Sequence, residues 1–226
     1  MKLIALETSA EACSAALWIE NEIVERFAVV PREHSERILP MIGEVLAEAG
    51  VGRRALDGVV FGCGPGSFTG VRIATGVAQG LAFALDIPVV PVSTLEILAQ
   101  GVRREHGASR VLASFDARMD EVYWAACTAD DDGLMGLVGE QLVCRPGEVP
   151  VPDGGDWTGA GGGWRTYADQ LDQRLAGKVT GRIPGALCHA RDAAVLGAPR
   201  FAAGRTVSAA DALPVYLRNT VAWKKA

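Results

Sequence analysis

The sequence lacks the usual marks of a disulfide-stapled, zinc-binding or membrane-spanning protein. Its five cysteines, Cys13, Cys63, Cys127, Cys144 and Cys188, are odd in number, widely spaced and never in a C-x-x-C arrangement. Neither a disulfide framework nor a zinc ribbon fits that pattern, and a reducing compartment does. The three histidines, His34, His106 and His189, are far apart. They lack the H-x-x-x-H and H-E-x-x-H spacings that bring two imidazoles to one helical face, so no metal centre is expected. No G-x-S-x-G motif is present, and no serine has a base visible in the sequence. The first apolar run ends at Glu7, too short for a signal-peptide core, and no stretch is expected to reach the roughly 18 apolar residues of a membrane span. Positive charge is not in excess either, since 22 basic residues against 27 acidic ones give a net charge of -5. A global electrostatic footprint for nucleic acid is therefore missing. The basic pairs Arg53–Arg54, Arg103–Arg104 and Lys224–Lys225 read as solvated surface.

What is present points to a cytoplasmic α/β protein. With 226 residues, 49% of them hydrophobic, the chain can bury one large core or two smaller ones. Residues 2–8, 13–19 and 22–30 read as a meander of three strands. Ser35 and Glu36 open a helix over 35–49 whose residues Ile38, Leu39, Ile42, Val45, Leu46 and Ala49 share an apolar face closed by Gly50. A short β-rich run over 57–63 feeds a second helix at about 69–85, and a strand over 87–92 leads to a helix capped by Ser93 that runs to about Glu105. Residues 109–116, 121–128 and 137–143 form a second candidate meander, with helices near 164–175 and 190–203. The stretch from Pro146 to Gly163 reads as a long loop. A repeated meander followed by βα units predicts two ribonuclease H-like lobes, the arrangement of actin, sugar kinases and the Hsp70 ATPase. The expected division is 1–104 and 105–226, with the last segment, about 205–226, packing back on the first lobe.

Three segments are candidates for phosphate or nucleotide contact. Thr8 and Ser9, beside Glu7, lie where an actin-like ATPase places hydroxyls and an acidic residue near phosphate; a plain hairpin turn would look the same. The run Gly64 to Gly70 (GPGSFTG) precedes a helix N-terminus, which suits either a phosphate cradle or a tight strand-to-helix connection, although the lysine of a Walker A motif is missing. Gly162 and Gly163 belong to a glycine run, 159–163, resembling an adenosine-side loop. The cluster Asp116, Arg118, Asp120 and Glu121 reads as a catalytic group or a solvated hairpin. The second helix is apolar nearly all round, with small residues at Gly76 and Gly80, so its second face is either core or a partner surface.

Five segments together resemble one family: Leu3 to Leu17 (LIALETSAEACSAAL), His34 to Pro40 (HSERILP), Gly64 to Arg72 (GPGSFTGVR), Asp116 to Met119 (DARM) and Pro214 to Arg218 (PVYLR). The family is TsaB, also called YeaZ. The resemblance implies a bacterial, non-catalytic subunit needed to form N6-threonylcarbamoyladenosine in tRNAs that read codons beginning with adenine. It further implies pairing with the related TsaD and recruitment of the ATPase TsaE. No cofactor of its own is expected, the net charge of -5 leaves only indirect contact with tRNA, and an apolar helix pair without its partner is expected to form a homodimer in isolation. The TsaD contact is expected on the two helices through Ile38, Leu39, Met41, Ile42, Leu46, Arg72, Thr75, Gly76, Gln79 and Gly80. TsaD-type proteins carry an H-x-x-x-H metal motif that this chain lacks, and Glu7 stands where related ATPases usually carry Asp. The competing expectation is a stand-alone actin-like ATPase or kinase.

Overall fold

The computed structural model describes residues 1–218; Lys224–Lys225 and the end of the 205–226 segment lie outside the described residues. The first half contains β1 (Lys2–Glu7), β2 (Ala12–Ile19), β3 (Glu22–Val29), α1 (His34–Glu48), β4 (Gly58–Gly64), α2 (Phe68–Leu85), β5 (Val89–Ser93) and α3 (Thr94–His106). The second contains β6 (Arg110–Arg118), β7 (Glu121–Ala129), β8 (Met135–Cys144), β9 (Trp157–Ala160), α4 (Gly162–Thr166), α5 (Ala168–Arg174), β10 (Val179–Ile183) and α6 (Ala190–Ala202). Two mixed five-stranded sheets result, with strand orders β3-β2-β1-β4-β5 and β10-β9-β6-β7-β8. In each, an antiparallel meander is extended by parallel strands added beside its first strand. The two sheets are therefore the same topology used twice, a ribonuclease H-like pair of α/β lobes.

Period-two side-chain alternation makes each sheet two-faced. In β1, Leu3 and Ala5 face a core shared with α3, α6 and the second sheet, whereas Ile4 and Leu6 face a core beneath α1 and α2. In β6, Val111 and Ala113 join the shared core, and Leu112 points to a third core built on Trp124, Trp157 and Trp164. The layers run α1/α2, first sheet, α3/α6, second sheet, α4/α5. Although α6 follows the second sheet in the chain, it packs on the first, where Glu25 and Ser14 accept hydrogen bonds from the Arg191 and Ala190 amides at its N-terminus (3.1 and 2.9 Å). Two ion pairs join α3 to α6: Arg104–Asp192 at 2.8 Å and Arg200–Glu96 at 2.7 Å.

Two sequence expectations need correction. The stretch from Pro146 to Gly163 is not one loop, because it holds a 3-10 turn at Pro146–Glu148 and strand β9. β9 is only four residues long and glycine-containing, and the Trp164 ring lies on Gly159, where a Cβ would meet that ring at 2.4 Å. The helix expected near 164–175 is two short helices, broken at Tyr167 (φ −123°, ψ 30°). Strand β10, parallel to β9, had no signal in the sequence. The described part of the terminal segment lies on the first sheet: Val207 bridges Val89, and the Val215 amide donates to the Cys63 carbonyl at 2.7 Å.

Candidate functional site

Ribonuclease H-like ATPases use their β1–β2 turn and the following glycine loops for phosphate, and here those loops close on each other. Thr8 and Ser9 are buried, at 0% and 2% exposure. The Thr8 hydroxyl donates to the Gly70 carbonyl (2.7 Å), and the Ser67 amide donates to the Ser9 carbonyl (2.8 Å). The Thr94 hydroxyl donates to the Pro65 carbonyl. A Cβ on Gly66 would lie 2.6 Å from the Ser9 carbonyl oxygen, and one on Gly70 would lie 2.0 Å from that of Thr8. Glycine is required here because two backbones touch. The backbone carbonyls of these loops are therefore engaged by one another, whereas the buried Ser9 hydroxyl has no partner among the described residues. On the other lobe, Gly163 is buried against Ser114, whose hydroxyl would meet an added Cβ at 2.0 Å; only Gly162 has open space. Three of the four nucleotide candidates, Thr8, Ser9 and Gly163, are thus packed shut, and Gly162 stays open. An ion pair at 3.6 Å between Glu11 and Arg165 links the β1–β2 turn to α4.

The Glu7 carboxylate accepts the Ser9 amide at 2.5 Å through one oxygen, and its other oxygen has no partner among the described residues. Burial raises its pKa above the ordinary value, and the hydrogen bonds from Ser9 only partly oppose this. Burial also pushes the Cys13 thiol up to about 11 and Cys63 to about 12, so neither is a thiolate nucleophile at neutral pH. Among the described residues no three potential metal ligands come together. Each histidine has a local role: His34 bonds the Ala10 carbonyl (2.9 Å), His189 stacks on Phe27 with Nδ1 facing Glu25, and His106 lies beside Glu105. In the acidic cluster, Asp116 accepts the Arg118 amide (2.8 Å), and Arg118, Met119 and Asp120 all adopt left-handed backbone (φ 62°, 57° and 59°). Glu121 pairs with Arg218, which lies 97 residues further along the chain. The cluster is a tight hairpin whose carboxylates Asp116 and Glu121 are engaged by arginines.

The second candidate surface is the outer layer formed by α1 and α2. The structure separates the expected contact residues into two groups. Ile38, Met41, Ile42, Leu46 and Thr75 point inward and are at most 5% exposed. Their expected place on the surface is corrected: they form the stripe that fixes the helices to the first sheet. Leu39 is 57% exposed, and Arg72, Gly76 and Gly80 are also on the outside. Gln79 is half-buried, donating from Nε2 to the Ala212 carbonyl (3.0 Å). Two exposed aromatics, Phe68 and Phe83, were absent from the expected set; at 84% exposure Phe83 is the more open. Their signal was helical spacing, since Phe68, Arg72, Gly76, Gly80 and Phe83 follow one side of α2.

A further correction concerns α2 itself. Among the described residues it is the one helix long and apolar enough to cross a membrane, with only 33% of it buried. It lies instead on β4, held by Val71, Ala74, Ala78 and Ala82. Ser67 accepts the Gly70 amide at its N-cap (3.4 Å), and Asp86 ends it in left-handed backbone. Its inner side builds the core and its outer side leaves apolar and small residues in solvent.

The family model described as "TsaD: tRNA N6-adenosine threonylcarbamoyltransferase" matches residues 22–150. The tRNA threonylcarbamoyladenosine biosynthesis protein TsaB of Escherichia coli (strain K12) is 42% identical over 232 residues, covering 100% of this chain and 98% of that protein. Among solved structures, YeaZ from Pseudomonas aeruginosa superposes with a TM-score of 0.89 at 49% identity, covering 96% of this chain and 99% of that one. A second, described as an uncharacterized protein with similarity to peptidase YEAZ from Pseudomonas aeruginosa, gives 0.90 at 48% identity with the same coverage. The specific sequence segments, the doubled sheet topology and this full-length similarity converge: the chain belongs to the TsaB (YeaZ) family.

Proposed function

We propose that the chain is the non-catalytic pairing subunit of a cytoplasmic assembly that forms N6-threonylcarbamoyladenosine in tRNAs reading codons that begin with adenine. It acts by presenting the outer face of α1 and α2 to a TsaD-type partner. TsaE joins that pair, tRNA is engaged indirectly, and in isolation two copies associate through the same face. The observation that carries this reading is the outer side of α2, where Phe68, Gly76, Gly80 and Phe83 stand in solvent on a helix whose inner side packs on β4. Large apolar side chains left in solvent beside small residues on one helix side suit an association site. Support also comes from the closed glycine loops, which leave Thr8 and Ser9 no surface for phosphate, and from the tRNA-modification names of the relatives.

The test is co-purification of this chain with the TsaD of the same organism, with tRNA threonylcarbamoylation assayed in the presence and absence of the chain. Leu39→Glu is the informative variant, because Leu39 is exposed and its replacement leaves the core intact. Ile42→Glu is not, since burying a carboxylate at a position 3% exposed would unfold the lobe. The expected result is a folded Leu39→Glu protein that no longer pairs or supports modification. Pairing at wild-type strength, or ATP turnover by the isolated chain, would replace this reading.

A further inference from the structure

We infer that Arg72, packed against the rings of both Phe68 and Tyr216, is a preformed receptor for a carboxylate on the partner subunit, and that the C-terminal segment assembles this receptor. The inference rests on the pairing role proposed above and adds the chemistry of one contact to it. The Arg72 guanidinium carbon lies 3.2 Å from the centroid of the Phe68 ring and 4.8 Å from that of Tyr216. The two rings are themselves only 6.3 Å apart. One N–H of Arg72 donates to the Phe68 carbonyl at 3.0 Å, which leaves most of its five donors uncommitted. No carboxylate lies within ion-pair distance of it among the described residues, which is also true of other arginines such as Arg37, Arg53 and Arg54; what sets Arg72 apart is its contact with two aromatic rings. Contact with both rings and the bond to the Phe68 carbonyl restrict the side chain, so a bidentate acid meets a cation that has already lost part of its side-chain freedom.

Tyr216 comes from the segment after α6, which is tied down on both sides of it. The Val215 amide donates to the Cys63 carbonyl, Gln79 donates to the Ala212 carbonyl, and Arg218 pairs with Glu121. This strap places an aromatic wall 144 residues distant in sequence beside Arg72. Arg72 also heads the exposed stripe of Gly76 and Gly80, where no atom lies within 4 Å of an added Cβ. A partner helix seated along that stripe would carry its Asp or Glu to the clamp. In a chain of net charge -5, this is an exposed cation flanked by aromatic rings, the composition of an interface hot spot.

Binding of full-length TsaD from the same organism to wild type, Arg72→Gln, Arg72→Lys and Tyr216→Ala, by calorimetry at low and high ionic strength, tests this. Arg72→Gln is expected to weaken binding on the order of tenfold or more and to flatten its salt dependence. Arg72→Lys and Tyr216→Ala should fall between it and wild type. One acidic residue on TsaD, replaced by Arg, should restore affinity to Arg72→Glu. If Arg72→Gln binds like wild type, or keeps the full salt dependence, the receptor is wrong while the pairing role stands. If it loosens self-association alone, the clamp serves a second copy and the inference fails. If wild type does not bind TsaD, the pairing role falls and the receptor with it.

Discussion

Replacing Gly76 and Gly80 by alanine should move stability and partner binding in opposite directions. Both glycines sit in the interior of α2 with helical backbone, and an added Cβ would meet nothing within 4 Å at either. The substitutions are therefore free of steric cost in the isolated chain. Alanine is more favourable than glycine in a helix interior by about 0.8–1.0 kcal/mol, so each change should stabilise the folded chain by about that amount. Together they are worth about 2 kcal/mol, a rise of about 4–8 °C in Tm for a chain of this size. The same methyl groups stand where a partner's backbone would come closest. Overpacking of this kind costs about 1–3 kcal/mol and would raise the Kd for TsaD on the order of tenfold or more. Differential scanning fluorimetry at low protein concentration measures the first effect and titration with TsaD the second. A fall in Tm would mean that this face is already covered in the isolated chain. A rise in Tm with unchanged TsaD affinity would refute the idea that the glycines exist for close approach.

Two further predictions concern the interior. Glu7→Gln should remove a pH dependence of stability. The folded-state pKa is raised above the ordinary 4.5 by burial, so the folded protein holds a proton that the unfolded chain releases as pH rises past that value. Wild-type stability must then fall with rising pH until the folded-state pKa is passed; the Gln variant should lack this slope in urea denaturation across the same range, and a parallel slope in both proteins would sink the assignment. Arg104→Ala strands the Asp192 carboxylate, whose side chain is 1% exposed and whose bidentate partner is Arg104 (2.8 and 2.9 Å). A loss of about 3–5 kcal/mol is expected in chemical denaturation, and a loss below about 1 kcal/mol would show that the pair is solvated.

The sequence exposed the architecture where local rules suffice. Alternation in Leu3 to Leu6 places two residues in each of two cores, and Ser93 caps α3 by accepting the Leu95 amide, as its position before Glu96 implies. β9 and β10 were hidden because their pairing depends on distant partners: Trp157–Ala160 is stabilised by β6 and by the Trp164 ring, and neither is visible in a four-residue window. The two site helices were legible as elements, but their outward residues were harder to read. An apolar stripe such as Ile38, Met41, Ile42 and Leu46 is the inward face of an amphipathic helix, so periodicity selects the core and passes over the surface. The surface is marked by large apolar residues outside the stripe, which here are Phe83 and also Leu39, expected on the apolar face of α1 and found 57% exposed. Tyr216 could not be assigned to Arg72 from spacing at all, because a tertiary strap brings them together.

The shared core bears on how a fold of ATPase type would serve the proposed pairing role. An ATPase of two lobes works by opening and closing around its nucleotide, and that requires a hinge with few buried contacts across it. Here α3 and α6 lie between the sheets in one continuous apolar cluster that takes Leu3, Val60 and Val90 from the first sheet and Val111, Ala113 and Cys127 from the second. The Arg104–Asp192 and Arg200–Glu96 pairs fasten the same two helices. Opening the lobes would expose that cluster and separate buried charges, at a cost far above the few kcal/mol of a working conformational equilibrium. The glycine loops lean the same way, since Gly66 and Gly70 close the β1–β2 turn by backbone contact. A rigid inner layer keeps the first sheet fixed beneath α1 and α2. Their outer face, with Leu39, Arg72, Gly76, Gly80 and Phe83, is thereby presented in one geometry, which lowers the ordering cost of association.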